Sequence, residues 1–109
     1  DPDGFKNFWE RFADDAYLNP AEERWDTYKN DQHPELTESC VYPWERLYIW
    51  HDGKVNPCEV DFKSDLAVGN IFKNDLSDLW LSKGYNLLRK NHLNEERQKS
   101  YPCSSCVVT

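Results

Sequence analysis

Apolar positions recur at helical spacing most clearly near the start of the chain. Phe5, Phe8, Trp9, Phe12, Ala13 and Ala16 fall at i, i+3, i+4, i+7, i+8 and i+11, with Lys6, Asn7, Glu10, Arg11 and Asp14 on the polar side. This predicts an amphipathic helix from about Phe5 to Ala16. The stripe is more aromatic than an isolated helix needs, which suits docking on a larger body as well as ordinary core packing. From Asn19 to Glu45 the periodicity fades, and Pro20, Pro34 and Pro43 punctuate it. Long structureless stretches are uncommon inside compact domains, so this one reads as a linker, with a short strand or turn near Trp25 to Tyr28.

The pattern then changes to strand formers. Leu47, Tyr48, Ile49 and Trp50 precede Asp52-Gly53, and Lys54-Val55-Asn56 follow. Asp-Gly between two such runs predicts a β-hairpin with a type I′ turn, because that turn needs positive φ at both central residues. This turn sets His51 against Lys54, Trp50 against Val55 and Leu47 against Cys58. Cys58 then lies at the open end of the hairpin, within reach of Cys40. Pro57 has no N–H and marks an edge or the end of pairing. Leu66 to Ile71 predicts a short third strand or a turn. Asp75 reads as an N-cap with Asp78 imitating a capping box, and Leu76, Leu79 and Trp80 give an apolar face. Gly84 is expected to break or kink that helix, with a further helical run to about His92. The fold class is α+β: an N-terminal amphipathic helix, a hairpin extended by a short strand, then a helical segment, with a cysteine-rich site between the hairpin base and the C-terminal end.

Composition narrows the function classes. The 109 residues carry a formal charge of -7, five Trp, six Tyr and five Phe. The aromatic content favours a folded domain over a disordered chain. The acidity and scattered basic residues argue against nucleic acid or an anionic membrane as partner, since phosphate binding needs clustered Lys and Arg. No apolar run approaches the roughly 20 residues that span a bilayer. A start at Asp1 and the absence of methionine suit a piece of a longer protein.

The chemistry resides in Cys40, Cys58, Cys103 and Cys106. Four thiolates complete a tetrahedral zinc site or an iron–sulfur cluster. Two disulfides are the other option, and they call for an oxidising compartment. The Cys-x2-Cys pair instead points to metal or redox chemistry in a reducing one, hence a cytoplasmic location. Spacing alone leaves zinc and iron both open: zinc ribbons usually carry two Cys-x2-Cys knuckles, and there is one here.

The cysteines and their surroundings resemble a known family. Cys40, twelve residues, Gly53, four residues and Cys58 fit the pattern Cys-x(9–15)-Gly-x4-Cys that opens the SPASM and Twitch domains of radical S-adenosylmethionine enzymes. PWERLYIWHDGKVNPCEVD, VGNIFKNDLSDLW, YNLLRKNHL and YPCSSC resemble successive stretches of that family, in order. GFKNFWERFADDAYL resembles the end of the partial barrel that precedes such domains. The resemblance implies residues 1–39 as the end of that barrel plus a linker, and 40–109 as the cluster-binding domain. It implies an auxiliary [4Fe–4S] cluster on Cys40, Cys58, Cys103 and Cys106, fully ligated and so serving electron transfer and active-site closure. The implied partners are the radical-forming barrel of the same polypeptide and a peptide or small-molecule substrate of the parent enzyme. The longer SPASM pattern adds cysteines beyond Cys-x2-Cys; there the pair serves a second cluster, and the next cysteine would fall just past Thr109. The radical-forming Cys-x3-Cys-x2-Cys is absent from these residues, so the chain alone is not expected to be an enzyme. A zinc-stabilised interaction module is the alternative, and zinc is also the expected substitute in aerobic preparations.

The remaining polar residues take plainer readings. His51, His33 and His92 are expected to be exposed or solvated, and Asp52 to be a turn former. Trp44, Trp50 and Trp80 are expected in the core. Glu59 and Asp61 would place negative charge beside Cys58.

Overall fold

The computed structural model describes residues 1–21 and 26–107. Three short strands, β1 (Tyr48–Ile49), β2 (Lys54–Asn56) and β3 (Gly69–Asn70), form an antiparallel sheet in the order β1-β2-β3. Val55 sits at its centre, opposite Ile49 on one side and Gly69 on the other, and is fully buried. The expected α+β class and third strand are both present.

The hairpin register differs from the expectation by one residue. Ile49, not Trp50, faces Val55, and Trp50 pairs with Lys54 through its N–H at 2.9 Å. Gly53 alone in the turn has positive φ, at +85°, and its N–H donates to the Trp50 carbonyl. Asp52 stays outside the left-handed region, so the loop is the three-residue kind that ends on a left-handed glycine. Asp52 does form the turn, accepting the Lys54 N–H at 3.1 Å. A slip of one residue reverses which face each side chain takes, so Arg46 rather than Leu47 falls in line with Cys58.

Among the described residues the α-helices are α1 (Pro2–Trp9), α2 (Tyr42–Glu45), α3 (Leu76–Trp80) and α4 (Lys83–Leu93). Asp75 is the N-cap of α3, but its carboxylate makes no capping bond. Asp78 is a methylene shorter than the Glu or Gln that closes a capping box. The break between α3 and α4 falls at Leu81 and Ser82 rather than at Gly84, and Ser82 Oγ caps α4 by accepting the Tyr85 N–H at 3.4 Å. Gly84 instead admits Val68, whose Cγ1 lies 3.3 Å from where a β-carbon would sit. Gly69 plays the same role at the sheet edge, where Leu79 Cδ2 lies 2.4 Å from its missing β-carbon.

Helix α1 starts earlier and stops sooner than the stripe predicts. Asp1 accepts the Asp3 N–H and Pro2 occupies the first turn, which sets the start. None of its residues is buried, and Phe5, Phe8, Trp9 and Phe12 are 42–68% exposed. Their rings pack on one another, Phe8 edge-on to Trp9 at 5.2 Å. Short helices in water propagate poorly without tertiary packing, which accounts for the early stop. The radius of gyration is 17.0 Å, against about 13 Å for a compact domain of this length.

The stretch read as a linker is tied to the C-terminal segment. Trp25 lies outside the described residues; beyond it Thr27 to Lys29 form a turn. Thr27 Oγ1 donates to the Pro102 carbonyl, the His33 N–H to that of Ser104, and Gln98 Nε2 to those of His33 and Leu36. Tyr28 hydrogen-bonds the buried Asp61 carboxylate and packs against Phe62 and Tyr101.

Candidate metal centre

Cys58 follows the end of β2, where Pro57 stops the pairing. Asn56, fully buried, holds the turn after it by donating through Nδ2 to the carbonyls of Cys58 (2.8 Å) and Asp61 (3.0 Å). The Val60 N–H donates to Cys58 Sγ at 3.4 Å. Asp61 is bound up in the loop itself, accepting from Asp65 N–H (3.0 Å), Leu66 N–H (2.8 Å) and the Tyr28 hydroxyl. Its charge is spent on holding the loop, while Glu59 is exposed.

Cys40 enters from the other side, just before α2. Its N–H donates to His92 Nδ1 at 3.1 Å, and Ser39 Oγ donates to the His92 carbonyl at 2.5 Å. Helix α2 is held in turn by Arg89, which donates to the carbonyls of Pro43 (2.9 Å) and Trp80 (2.7 Å) while its guanidinium lies 4.4 Å over both Trp80 and Tyr85. Tyr85 Oη donates to the Arg46 carbonyl at 2.5 Å, and burial pushes that phenol up to about 12.

Cys103 opens a 3-10 turn, Cys103–Ser105, and Cys106 follows it, closing it by Cys106 N–H to Cys103 carbonyl at 3.2 Å. A second 3-10 turn, Arg97–Lys99, presents Arg97, which is 2% exposed. Its guanidinium donates to the carbonyls of Cys106 (2.9 Å), Glu38 (3.2 Å) and Cys103 (3.3 Å). One side chain therefore ties the C-terminal turn to the segment that carries Cys40.

All four cysteines are free and line one cavity. The rest of its wall is mostly apolar, from Tyr42, Pro43, Pro57, Val60, Leu66 and Leu88, with His92 and Arg97 as the polar members. Burial pushes the Cys103 thiol up to about 12 and raises those of Cys40 and Cys58. The other cysteines lining the cavity raise each of the three further, whereas Arg97 pulls Cys40 and Cys103 down. Thiols raised by burial stay protonated at neutral pH, so binding a metal or cluster here would release their protons. Among the described residues no three Cys, His, Asp or Glu side chains converge closely enough to hold a single metal ion.

Residues 40–107 match SPASM, an iron–sulfur cluster-binding domain. The chain belongs to this family. A relative from Niallia circulans, an S-adenosyl-L-methionine-dependent 2-deoxy-scyllo-inosamine dehydrogenase, is 32% identical over 75 residues, 69% of this chain and 30% of the relative. The crystal structure of BtrN in an open conformation shares the fold at a TM-score of 0.63 and 30% identity, over 67% of this chain and 34% of BtrN. The SPASM chain thus spans about a third of each protein it matches. These likenesses agree with the radical-enzyme resemblance and lend the zinc alternative no support. No helix among the described residues is long and apolar enough to cross a membrane.

Two residues of the SPASM site escaped the sequence reading. His92, expected in solvent, is 1% exposed and lines the cavity, with burial pushing it down to about 4. Its position on α4, seven residues after Tyr85 and four after Leu88, is the periodic signal that places it on the buried face. Arg97 gave no such signal, because its partners are carbonyls distant in sequence. His51 is exposed as expected, and His33 is partly exposed, with Nδ1 2.8 Å from Glu35. Trp44 is exposed rather than in the core, while Trp50 and Trp80 are half-buried.

Proposed function

We propose that this SPASM domain carries one auxiliary [4Fe–4S] cluster held by Cys40, Cys58, Cys103 and Cys106, and serves electron transfer and active-site closure in a radical S-adenosylmethionine enzyme. The observation that carries this reading is that four free cysteines from three separate stretches of the chain line a single, largely apolar cavity. When bound, such a cluster supplies one-electron transfer. The chain's own part is to hold and shield it. Arg97 fixes the backbone on both sides of the cavity, Asn56 sets the turn at Cys58, and the apolar wall keeps water from the sulfurs.

The radical-forming barrel belongs to the same polypeptide in this reading, and the exposed rings of Phe5, Phe8, Trp9 and Phe12 face it. The chain is not an enzyme by itself. The name of the Niallia circulans relative favours an oxidoreductase parent over a peptide-modifying one, acting on a small molecule in the cytoplasm. Anaerobic reconstitution with iron and sulfide tests the assignment. About four irons and four sulfides per chain, with broad visible absorbance, support it. Stoichiometric zinc without visible absorbance, or full cluster content after Cys103→Ser and Cys106→Ser together, overturns it.

A further inference from the structure

His92 is buried on α4 with its two ring nitrogens in different circumstances. Nδ1 accepts the Cys40 N–H at 3.1 Å. An acceptor nitrogen carries no proton, so the ring is neutral and its single N–H is on Nε2. That Nε2 is buried and has no partner. Buried donors are almost always satisfied, and one that is not calls for an explanation. Asn30, Asn56, Arg89 and Ser104 also hold a buried polar atom without a partner, but among these five only His92 lines the cysteine cavity.

We infer that the His92 Nε2–H donates a hydrogen bond to a sulfur of the bound cluster, and so sets its reduction potential. The inference rests on the cluster assignment above. Each part of the arrangement has a use. The Cys40 N–H fixes the tautomer, and Ser39 fixes the backbone at His92, so the ring is oriented by the segment that carries the first cysteine. Reduction places added negative charge partly on the sulfurs, so a donor aimed at them stabilises the reduced cluster more than the oxidised one and raises the potential. His92 is a positioning and tuning residue in this role. It replaces no cysteine and transfers no proton.

The test uses the anaerobically reconstituted full chain. With histidine labelled by nitrogen-15, pulsed electron paramagnetic resonance of the reduced cluster is expected to show coupling to one histidine nitrogen and to an exchangeable proton. Two substitutions separate the roles of the ring. His92→Asn keeps an acceptor near the Nδ1 position for the Cys40 N–H but lacks the distal donor. It is expected to load iron as the parent does, lose both couplings and shift the potential downward. His92→Gln restores a donor near the Nε2 position and is expected to recover most of that shift. A loaded parent chain without histidine coupling overturns the hydrogen bond, whether or not the variants fold, and so does an unshifted potential in His92→Asn. A parent chain that takes up no iron and sulfide defeats the cluster assignment itself, a result distinguishable from either.

Discussion

Arg97 and Cys106 are joined by a 2.9 Å hydrogen bond from guanidinium to main-chain carbonyl, deep enough that Arg97 is 2% exposed. The same side chain reaches Cys103 and Glu38. Removing it takes a charged donor from carbonyls on two segments, and the one it leaves buried is that of Cys106. Arg97→Ala is expected to destabilise the loaded chain by about 3 kcal/mol or more, read by denaturant unfolding under anaerobic conditions. Arg97→Lys keeps a charge but not the planar fork, so it should recover only part of the loss.

Removing the iron should loosen one end of the molecule more than the other. The Cys103–Ser105 turn is held by local bonds, by Arg97 and by one bond from the His33 N–H, whereas Val55 is fully buried and paired on both sides. After chelation, amide hydrogen exchange is expected to accelerate first around residues 100–106, with the strand amides near Val55 protected longest. Uniform acceleration along the chain would contradict this order.

Gly53 is the residue on which the hairpin turns. Its φ of +85° is unfavourable for other residues, and an added β-carbon would lie 2.5 Å from the Phe72 ring. Gly53→Ala should therefore cost about 2 kcal/mol, measured as a lowered denaturant midpoint with unchanged slope.

Glu59 and Asp61 should behave differently although both follow Cys58. Glu59 is exposed, so Glu59→Gln is expected to raise the cluster potential slightly and leave stability unchanged. Asp61 is 1% exposed and accepts three hydrogen bonds. Asp61→Asn should cost about 2 kcal/mol, with any change in potential secondary. Voltammetry and unfolding on the two single variants separate these effects.

The aromatic face of α1 gives the opposite expectation. Phe8→Ser and Phe12→Ser together should change the stability of this chain by no more than about 0.5 kcal/mol, because neither ring is buried. A loss of 2 kcal/mol or more in thermal or denaturant unfolding would show that the helix packs on the domain.

Much of the architecture was legible because it is local. A run of strand formers and Asp-Gly marked the hairpin, Asp75 marked the start of α3, and the third strand was among the readings of Leu66 to Ile71. The four cysteines were legible as one set, first through chemistry and then through their order among family-like phrases. What was hidden depended on geometry that the letters share between outcomes. Asp52-Gly53 serves a two-residue or a three-residue loop, and only φ at Asp52 distinguishes them. Arg97 and His92 carry polar side chains that usually mark a surface, yet both are buried by partners more than 50 residues away, Glu38 and Cys40. The stripe on α1 pointed to packing that the described residues do not supply.

The order of the cysteines along the chain has a consequence for biosynthesis. The cavity takes one wall from Cys40, one from Cys58 and the last from the turn at Cys103–Ser105, which follows the strands and α-helices of the described residues. A ribosome thus makes these strands and α-helices before it makes the residues that close the pocket. In the proposed arrangement, a cluster held by all four thiolates forms only once the chain has been made through Cys106.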